Sequence, residues 1–164
     1  MQTTTPLMHL ATVLLALSSA PAFAAERASR EEAVAHVDKA VAYLKQHGEA
    51  KAFAAFSKSK AENGQFVDRD LYIFCYDTRG FMHCIGNGNA KNMVGKSLIG
   101  FRDADGVYLV KGLIQATAAT GKGWFDYKFP NPVTEEVEPK SGYCERVADK
   151  LICSGIYKPT PGAN

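Results

Sequence analysis

The feature that constrains this chain most is a spacing that occurs twice. Cys75 and Cys84 stand nine positions apart in CYDTRGFMHC, and Cys144 and Cys153 stand nine apart in CERVADKLIC. Each stretch has a turn signal at its centre, Asp77-Thr78-Arg79-Gly80 in one and Ala148-Asp149 in the other. Residues with strand preference flank both turns. The pattern reads as two β-hairpins, each with one cysteine per strand. No C-x-x-C occurs, so neither a thioredoxin-type pair nor haem attachment is indicated. The four thiols are therefore staples, metal ligands or a redox device, and the compartment weighs between them.

The compartment is read from the N-terminus. Leu10–Ala24 is an apolar run ending in Ala22-Phe23-Ala24, followed by the polar AERASREE. This is the pattern of a secretory signal peptide cut after Ala24, although Met1 to His9 holds no Lys or Arg. The alternative, an uncleaved anchor, fits less well: a span needs ~20 apolar residues, and Ser18, Ser19 and Pro21 interrupt this run. The expectation is a signal peptide over 1–24 and a mature domain over 25–164, periplasmic or secreted, with no membrane insertion after cleavage. An even number of cysteines in an oxidising compartment favours disulfides over a labile pair.

A chain of 164 residues has room for one ordinary domain. Its 19 basic and 17 acidic residues are scattered, which gives no sign of a nucleic-acid or anionic-membrane partner. Ser29 to about Phe56 reads as helix. Val34, Val37, Val41 and Leu44 form one apolar stripe, Ser29 suits the N-cap, and Glu31 and Glu32 suit the first turn. Gly48 kinks or ends this helix, leaving EAKAFAAF to bury Phe53 and Phe56. Asp70–Asp77 and Phe81–Ile85 form the first hairpin, and 86–92 is loop. Val107–Thr120 reads as helix. Gly123–Phe129 reads as a strand stopped by Pro130-Asn131-Pro132, and KSGYCERV and KLICSGIY as two more. This is an α+β chain with a mostly antiparallel sheet.

The segments DLYIFCYDTRG, VGKSL, RDADGVYLVKGLI, GKGWFDYKFPNP, EPKSGYCERV and LICSGIY occur in one order and spacing. Over about Asp70–Lys158 that series resembles a single Cache domain of the second type, an extracytoplasmic sensor module of bacteria. The resemblance implies a PAS-like five-stranded antiparallel sheet over about 66–158, with a long N-terminal helix over about 29–56. It implies one pocket between the sheet and the loops over its other face. It also implies a small carboxylate ligand of the acetate, propionate, pyruvate or lactate class, with signalling through a partner such as a membrane sensor kinase or chemoreceptor. The sequence stops six residues after Lys158, so a sensor of this kind is expected to act through another protein.

A small carboxylate needs a cation or several directed donors in a largely dry pocket. Lys140 and Tyr143 match the family's Lys and Tyr on the fourth strand, as charge partner and hydroxyl donor. The bland alternative for Lys140 is a solvated surface lysine. Strand parity sets Tyr127 and Phe129 together as a pocket pair and turns Trp124 to the other face, as a packing residue near a strand end. Tyr72 is a candidate donor and Phe74 a wall. His83 stands two positions from where the family often has a His-Pro pair and is a candidate substitute. Any of the aromatics could equally be core.

For the thiols, a two-residue loop at Arg79-Gly80 sets Cys75 opposite Cys84, and Ala148-Asp149 sets Cys144 opposite Cys153. A type I turn with Gly80 left-handed would slip the first register, putting Cys75 opposite His83. The family's sheet places its first and fifth strands side by side, which leaves Cys75–Cys153 open. The expected pairs are 75–84 and 144–153. Cache domains generally lack these cysteines. A metal site with His83 is disfavoured because adjacent strand residues point to opposite faces. No catalytic triad spacing, phosphate loop or His-x-x-x-His appears, so a binding protein without cofactor is expected rather than an enzyme. The alternatives are a thiol or metal protein on the same fold and a ligand-free interaction module.

Overall fold

The computed structural model describes residues 27–159, so the expected signal peptide lies outside the described residues. The chain opens with α1 (Arg30–His47) and α2 (Glu49–Phe56), then a single 3-10 turn (Lys60–Glu62). A two-residue ribbon follows, β1 (Val67–Asp68) with β2 (Leu71–Tyr72). The main sheet is built from β3 (Phe74–Asp77), β4 (Met82–Ile85), β5 (Lys122–Pro130), β6 (Val137–Val147) and β7 (Lys150–Tyr157). Its order is β4-β3-β7-β6-β5, with every pairing antiparallel. Between β4 and β5 lie α3 (Ala90–Met93) and α4 (Leu109–Ala116).

The long helix starts where its cap chemistry places it. The Ser29 hydroxyl accepts the Glu32 N–H at 3.2 Å, and the Glu32 carboxylate accepts the Ser29 N–H at 2.7 Å, so two of the four orphan donors are satisfied. It ends at Gly48, whose φ of 75° breaks the helix while its N–H donates to the Leu44 carbonyl. Val37, Ala40, Val41 and Leu44 are buried against one face of the sheet, with Phe56, Phe66, Ile73, Cys75, Cys84 and Ile152. Val34 sits at the rim, only partly buried.

The opposite face carries the second core: Tyr72, Phe74, Tyr76, Met82, Leu113, Tyr127, Phe129, Leu151 and Tyr157, roofed by α4. Two glycines bring the roof down. A Cβ on Gly112 would lie 2.1 Å from the Phe125 ring, and one on Gly123 would lie 2.1 Å from the Ala116 carbonyl oxygen. The helix is shorter than the expected 107–120. Val107 is tied into the preceding turn, its N–H donating to the Asp103 carboxylate at 2.8 Å, and Thr117 closes the last turn through Ile114. The segment 86–92 is not all loop, since α3 contributes one helical turn.

The first hairpin combines both expected geometries. Gly80 is left-handed at φ 87°, and Asp77 pairs with Phe81 around a three-residue turn. That slips the register by one, so Tyr76 faces Met82; a bulge at His83 then restores it, and Cys75 faces Cys84. Both pairs close as disulfides, Cys75–Cys84 with Cα atoms 4.9 Å apart and Cys144–Cys153 at 4.1 Å. The first lies in the helix-side core and the second in the opposite core.

Candidate functional site

The site forms on the face away from α1, where strand pairing lines up three side chains. Lys140 on β6 is registered with Tyr127 on β5 and with Tyr157 on β7. Alternation points all three the same way, and β2 and β3 bring Tyr72, Phe74 and Tyr76 to that side.

Lys140 is 1 % exposed, so it is not a surface lysine. Its ammonium nitrogen lies 3.9 Å from the ring centre of Tyr72, 4.5 Å from Tyr157, 5.2 Å from Phe74 and 5.8 Å from Phe129. It donates one hydrogen bond, to the Tyr157 hydroxyl at 3.3 Å, and forms no salt bridge among the described residues. Burial pushes its pKa well below the usual lysine value, and only the Asp70 carboxylate pulls the other way. Ring faces favour the charged form but do not replace a counter-ion.

The hydroxyl network can be assigned donor by donor. Tyr157 gives its proton to the Pro130 carbonyl at 2.6 Å. Its oxygen then accepts from Lys140 and, at 3.0 Å, from Tyr72. Tyr72 has spent its proton and is not a free donor. Tyr127 is the opposite case: buried, with its pKa raised well above the usual phenol by desolvation and by Tyr72 and Tyr76, its hydroxyl makes no hydrogen bond among the described residues. Tyr76 is likewise buried and held neutral.

Room for these groups comes from glycine. A Cβ on Gly142 would stand 3.0 Å from Cε1 and from the hydroxyl of Tyr127, and one on Gly155 would stand 3.1 Å from Cε of Lys140. The arrangement is a buried aromatic cluster around one lysine without an ion pair and one phenol without a hydrogen bond among the described residues.

Lys140, Tyr127, Phe129, Tyr72 and Phe74 are brought together; three other candidates are not. Tyr143 is three residues from Lys140 on an unbroken strand, so it faces α1 instead, with its ring 5.0 Å from Trp124. Trp124 packs there too, under the Arg30 guanidinium at 3.7 Å. The bulge turns His83 toward α2, where its ring lies 5.4 Å from Phe53 and Nε2 lies 3.5 Å from the Asp77 carboxylate, too far for a hydrogen bond. The sequence reading missed Tyr157, although the count that sets Cys144 opposite Cys153 also sets Lys140 opposite Tyr157. Tyr76 shares the parity of Tyr72 and Phe74 and was visible in the same way.

With that geometry in hand, the family profile described as Single Cache domain 2 matches residues 10–157. The chain belongs to the single Cache domain 2 family. Three solved structures share its fold. A methyl-accepting chemotaxis protein from Vibrio parahaemolyticus RIMD 2210633 superposes with a TM-score of 0.64 at 23% identity, over 77% of this chain and 86% of that one. A periplasmic sensor domain of a chemotaxis protein gives 0.57 at 22% identity, over 79% and 90%. A Cache chemosensory domain described for its carboxylic acid recognition gives 0.58 at 20% identity, over 79% and 92%. No curated protein matches the chain in sequence. In this Cache domain one disulfide clasps each hairpin, and all four sulfurs are bonded.

Proposed function

We propose that this chain is an extracytoplasmic sensor domain that takes a small carboxylate into the chamber around Lys140 and reports occupancy to a membrane sensor kinase or chemoreceptor. One observation carries the reading: a fully buried lysine, walled by four rings, faces no counter-charge within ion-pair distance among the described residues. A ligand carboxylate would supply that charge, and Tyr127 would donate the second hydrogen bond. A structural neighbour described for carboxylic acid recognition supports the choice of ligand class. The disulfides and the family's sensor role support the compartment.

The test is a thermal-shift screen of the oxidised protein against acetate, propionate, pyruvate, lactate and succinate. A ligand at 100 times its dissociation constant adds ~2.7 kcal/mol, several degrees in Tm for a domain of this size. The shift should disappear in Lys140→Met and weaken about tenfold in affinity in Tyr127→Phe, the loss of one charge-assisted hydrogen bond. Silence from every acid well above millimolar concentration would remove the carboxylate reading.

Binding should also depend on pH in a definite sense. The free chamber depresses the lysine pKa and a bound anion raises it, so the complex takes up a proton. Affinity therefore falls as pH rises above the lowered lysine pKa of the empty domain, by at most about tenfold per unit for one proton. Titration calorimetry in buffers of different ionisation enthalpy would register that proton directly; pH-independent affinity would contradict a neutral Lys140 in the empty domain.

A further inference from the structure

The segment 95–103 is tied to both edge strands of the main sheet, β4 and β5. At the β4 side the ties are backbone. The Gly95 N–H donates to the Met82 carbonyl at 2.9 Å, the Met82 N–H to the Lys96 carbonyl at 3.0 Å, and the Leu98 N–H to the Gly80 carbonyl at 2.8 Å. At the β5 side the tie is a side chain. Asp103 Oδ2 accepts the Lys128 N–H at 2.8 Å, while Oδ1 accepts the N–H groups of Asp105 at 2.9 Å and Val107 at 2.8 Å. Burial works to raise the Asp103 pKa, yet these three donors outweigh it and hold the carboxyl below its usual value. An exposed ion pair from Lys128 Nζ to Asp105, at 2.9 Å, adds little. Between the two ties, Leu98 and Ile99 pack against the cluster that holds Tyr72, Phe74, Tyr127 and Phe129.

The place of the Asp103 tie bears on the site. Lys128 stands between Tyr127 and Phe129, the two residues that β5 turns toward Lys140. An edge strand leaves its outward N–H groups without a neighbouring strand, and here the Asp103 carboxylate takes that place. Lys140 is buried, so a ligand reaches it only when a covering segment lifts. Neighbouring segments are held more firmly. The helix α4 sits on β5 with no spare room at Gly112 or Gly123. The loop 131–136 is closed by two backbone bonds of 2.8 Å and by the Asn131 and Thr134 side chains on Glu138. The segment 95–103 is instead mostly exposed, and Gly95 and Gly100 within it have open space where a Cβ would stand. Few buried contacts and exposed backbone bonds are what a locally opening segment has.

Resting on the reading of Lys140 as the ligand's anchor, we infer that 95–103 is the door to that lysine and that Asp103 is the positioning residue that latches it to β5. Opening breaks the Lys128 N–H bond. The segment then lifts from the β5 side about its β4 ties and draws Ile99 off the rings. The latch sets how fast a ligand enters and leaves, and it acts on both directions alike.

The experiment uses the full oxidised chain and reads the door through Lys140 itself. Acetic anhydride labels an amine that is exposed and uncharged; labelling of Lys140 is followed by peptide mapping, with the exposed Lys45 of α1 as reference. Hydrogen exchange is followed at the Lys128 amide. In the wild type both readings should be insensitive to low denaturant, the mark of local opening. Asp103→Asn keeps an oxygen for the Asp105 and Val107 N–H groups and loses the acceptor for Lys128. It should speed Lys140 labelling and Lys128 exchange about tenfold, the scale of one hydrogen bond to a charged group. Val37→Ala, which costs stability on the opposite face of the sheet, should change neither. Acetate, propionate, pyruvate and lactate are then titrated and their exchange rates taken from NMR line shapes. An acid that binds should enter and leave Asp103→Asn about tenfold faster, with its dissociation constant altered less than threefold. Lys140 labelling that follows denaturant in the wild type and rises in Val37→Ala would mean access by global unfolding and would overturn the door, even where Asp103→Asn folds poorly. Weaker binding in Asp103→Asn at unchanged rates would overturn the latch. Silence from all four acids, with labelling still set by Asp103, would overturn the carboxylate reading and leave the door standing.

Discussion

Gly142 and Gly155 lie opposite each other on adjacent strands, yet a methyl group on each would do different damage. At Gly155 it would meet the Ser141 carbonyl oxygen at 2.4 Å and the Gly142 Cα at 2.9 Å, both backbone atoms that cannot swing aside. At Gly142 it would meet the Tyr127 ring and Leu113 Cδ2 at 3.0–3.1 Å, which are side-chain atoms. Gly155→Ala should therefore cost ~1–3 kcal/mol of stability, the range for overpacking. Gly142→Ala should cost less but weaken ligand binding at least tenfold by displacing the Tyr127 hydroxyl. Chemical denaturation and calorimetry on the pair would check this; equal stability losses with unchanged affinity for Gly142→Ala would place the chamber elsewhere. The same contrast shows what residue-level reading can reach. That Lys140 was a candidate was legible from a resemblance, but its burial was not, because it depends on what four other segments stack around it.

Hairpins are the elements in which sequence and structure agree most closely, and the reason is locality. A two-residue turn fixes the β6–β7 register outright, so Cys144 and Cys153 could be placed opposite each other by counting. The first hairpin shows the limit. Asp-Thr-Arg-Gly prefers a slipped turn, and only the bulge at His83 restores the cysteine pairing. A bulge leaves no signature in a short strand that counting can detect. The β5–β6 register spans the loop 131–136 and could not be counted at all, which is why Tyr127 could not be matched to Lys140 in advance. Each clasp closes a loop of about ten residues and should contribute ~2–3 kcal/mol on the chain-entropy model. Replacing either pair by Ala-Ala should lower Tm by several degrees, and the double replacement should do so roughly additively, because the two lie in separate cores on opposite faces of the sheet. Calorimetric scans of the three variants would show it; strong non-additivity would mean that the two cores unfold as one coupled layer.

At the scale of the molecule, acid should be the stress that reveals its wiring. Glu138 is held down to about 2, first by the Arg27 hydrogen bond against the opposing effect of burial, then by Asn131 and Thr134. Burial works to raise Asp77, yet the N–H groups of Phe81 and Arg79 and the Arg79 guanidinium outweigh it and hold that carboxyl at about 2. Both folded-state values lie below those of the unfolded chain, so their stabilisation is present above about pH 4.5. It is lost as pH falls from there toward 2. Tm should drop steeply across that window and less steeply in Glu138→Gln or Asp77→Asn; a parallel fall in all three proteins would rule these carboxylates out as the cause. Glu138 joins Arg27, just before α1, to β6, so the long helix should loosen from the sheet as that residue protonates. One further consequence follows from the connectivity of the clasps. The cysteines pair consecutively, the first with the second (75 with 84) and the third with the fourth (144 with 153). A chain oxidised progressively from its N-terminus as it emerges thus meets each correct partner before any wrong one is available, and it can reach its native bonding without a disulfide isomerase.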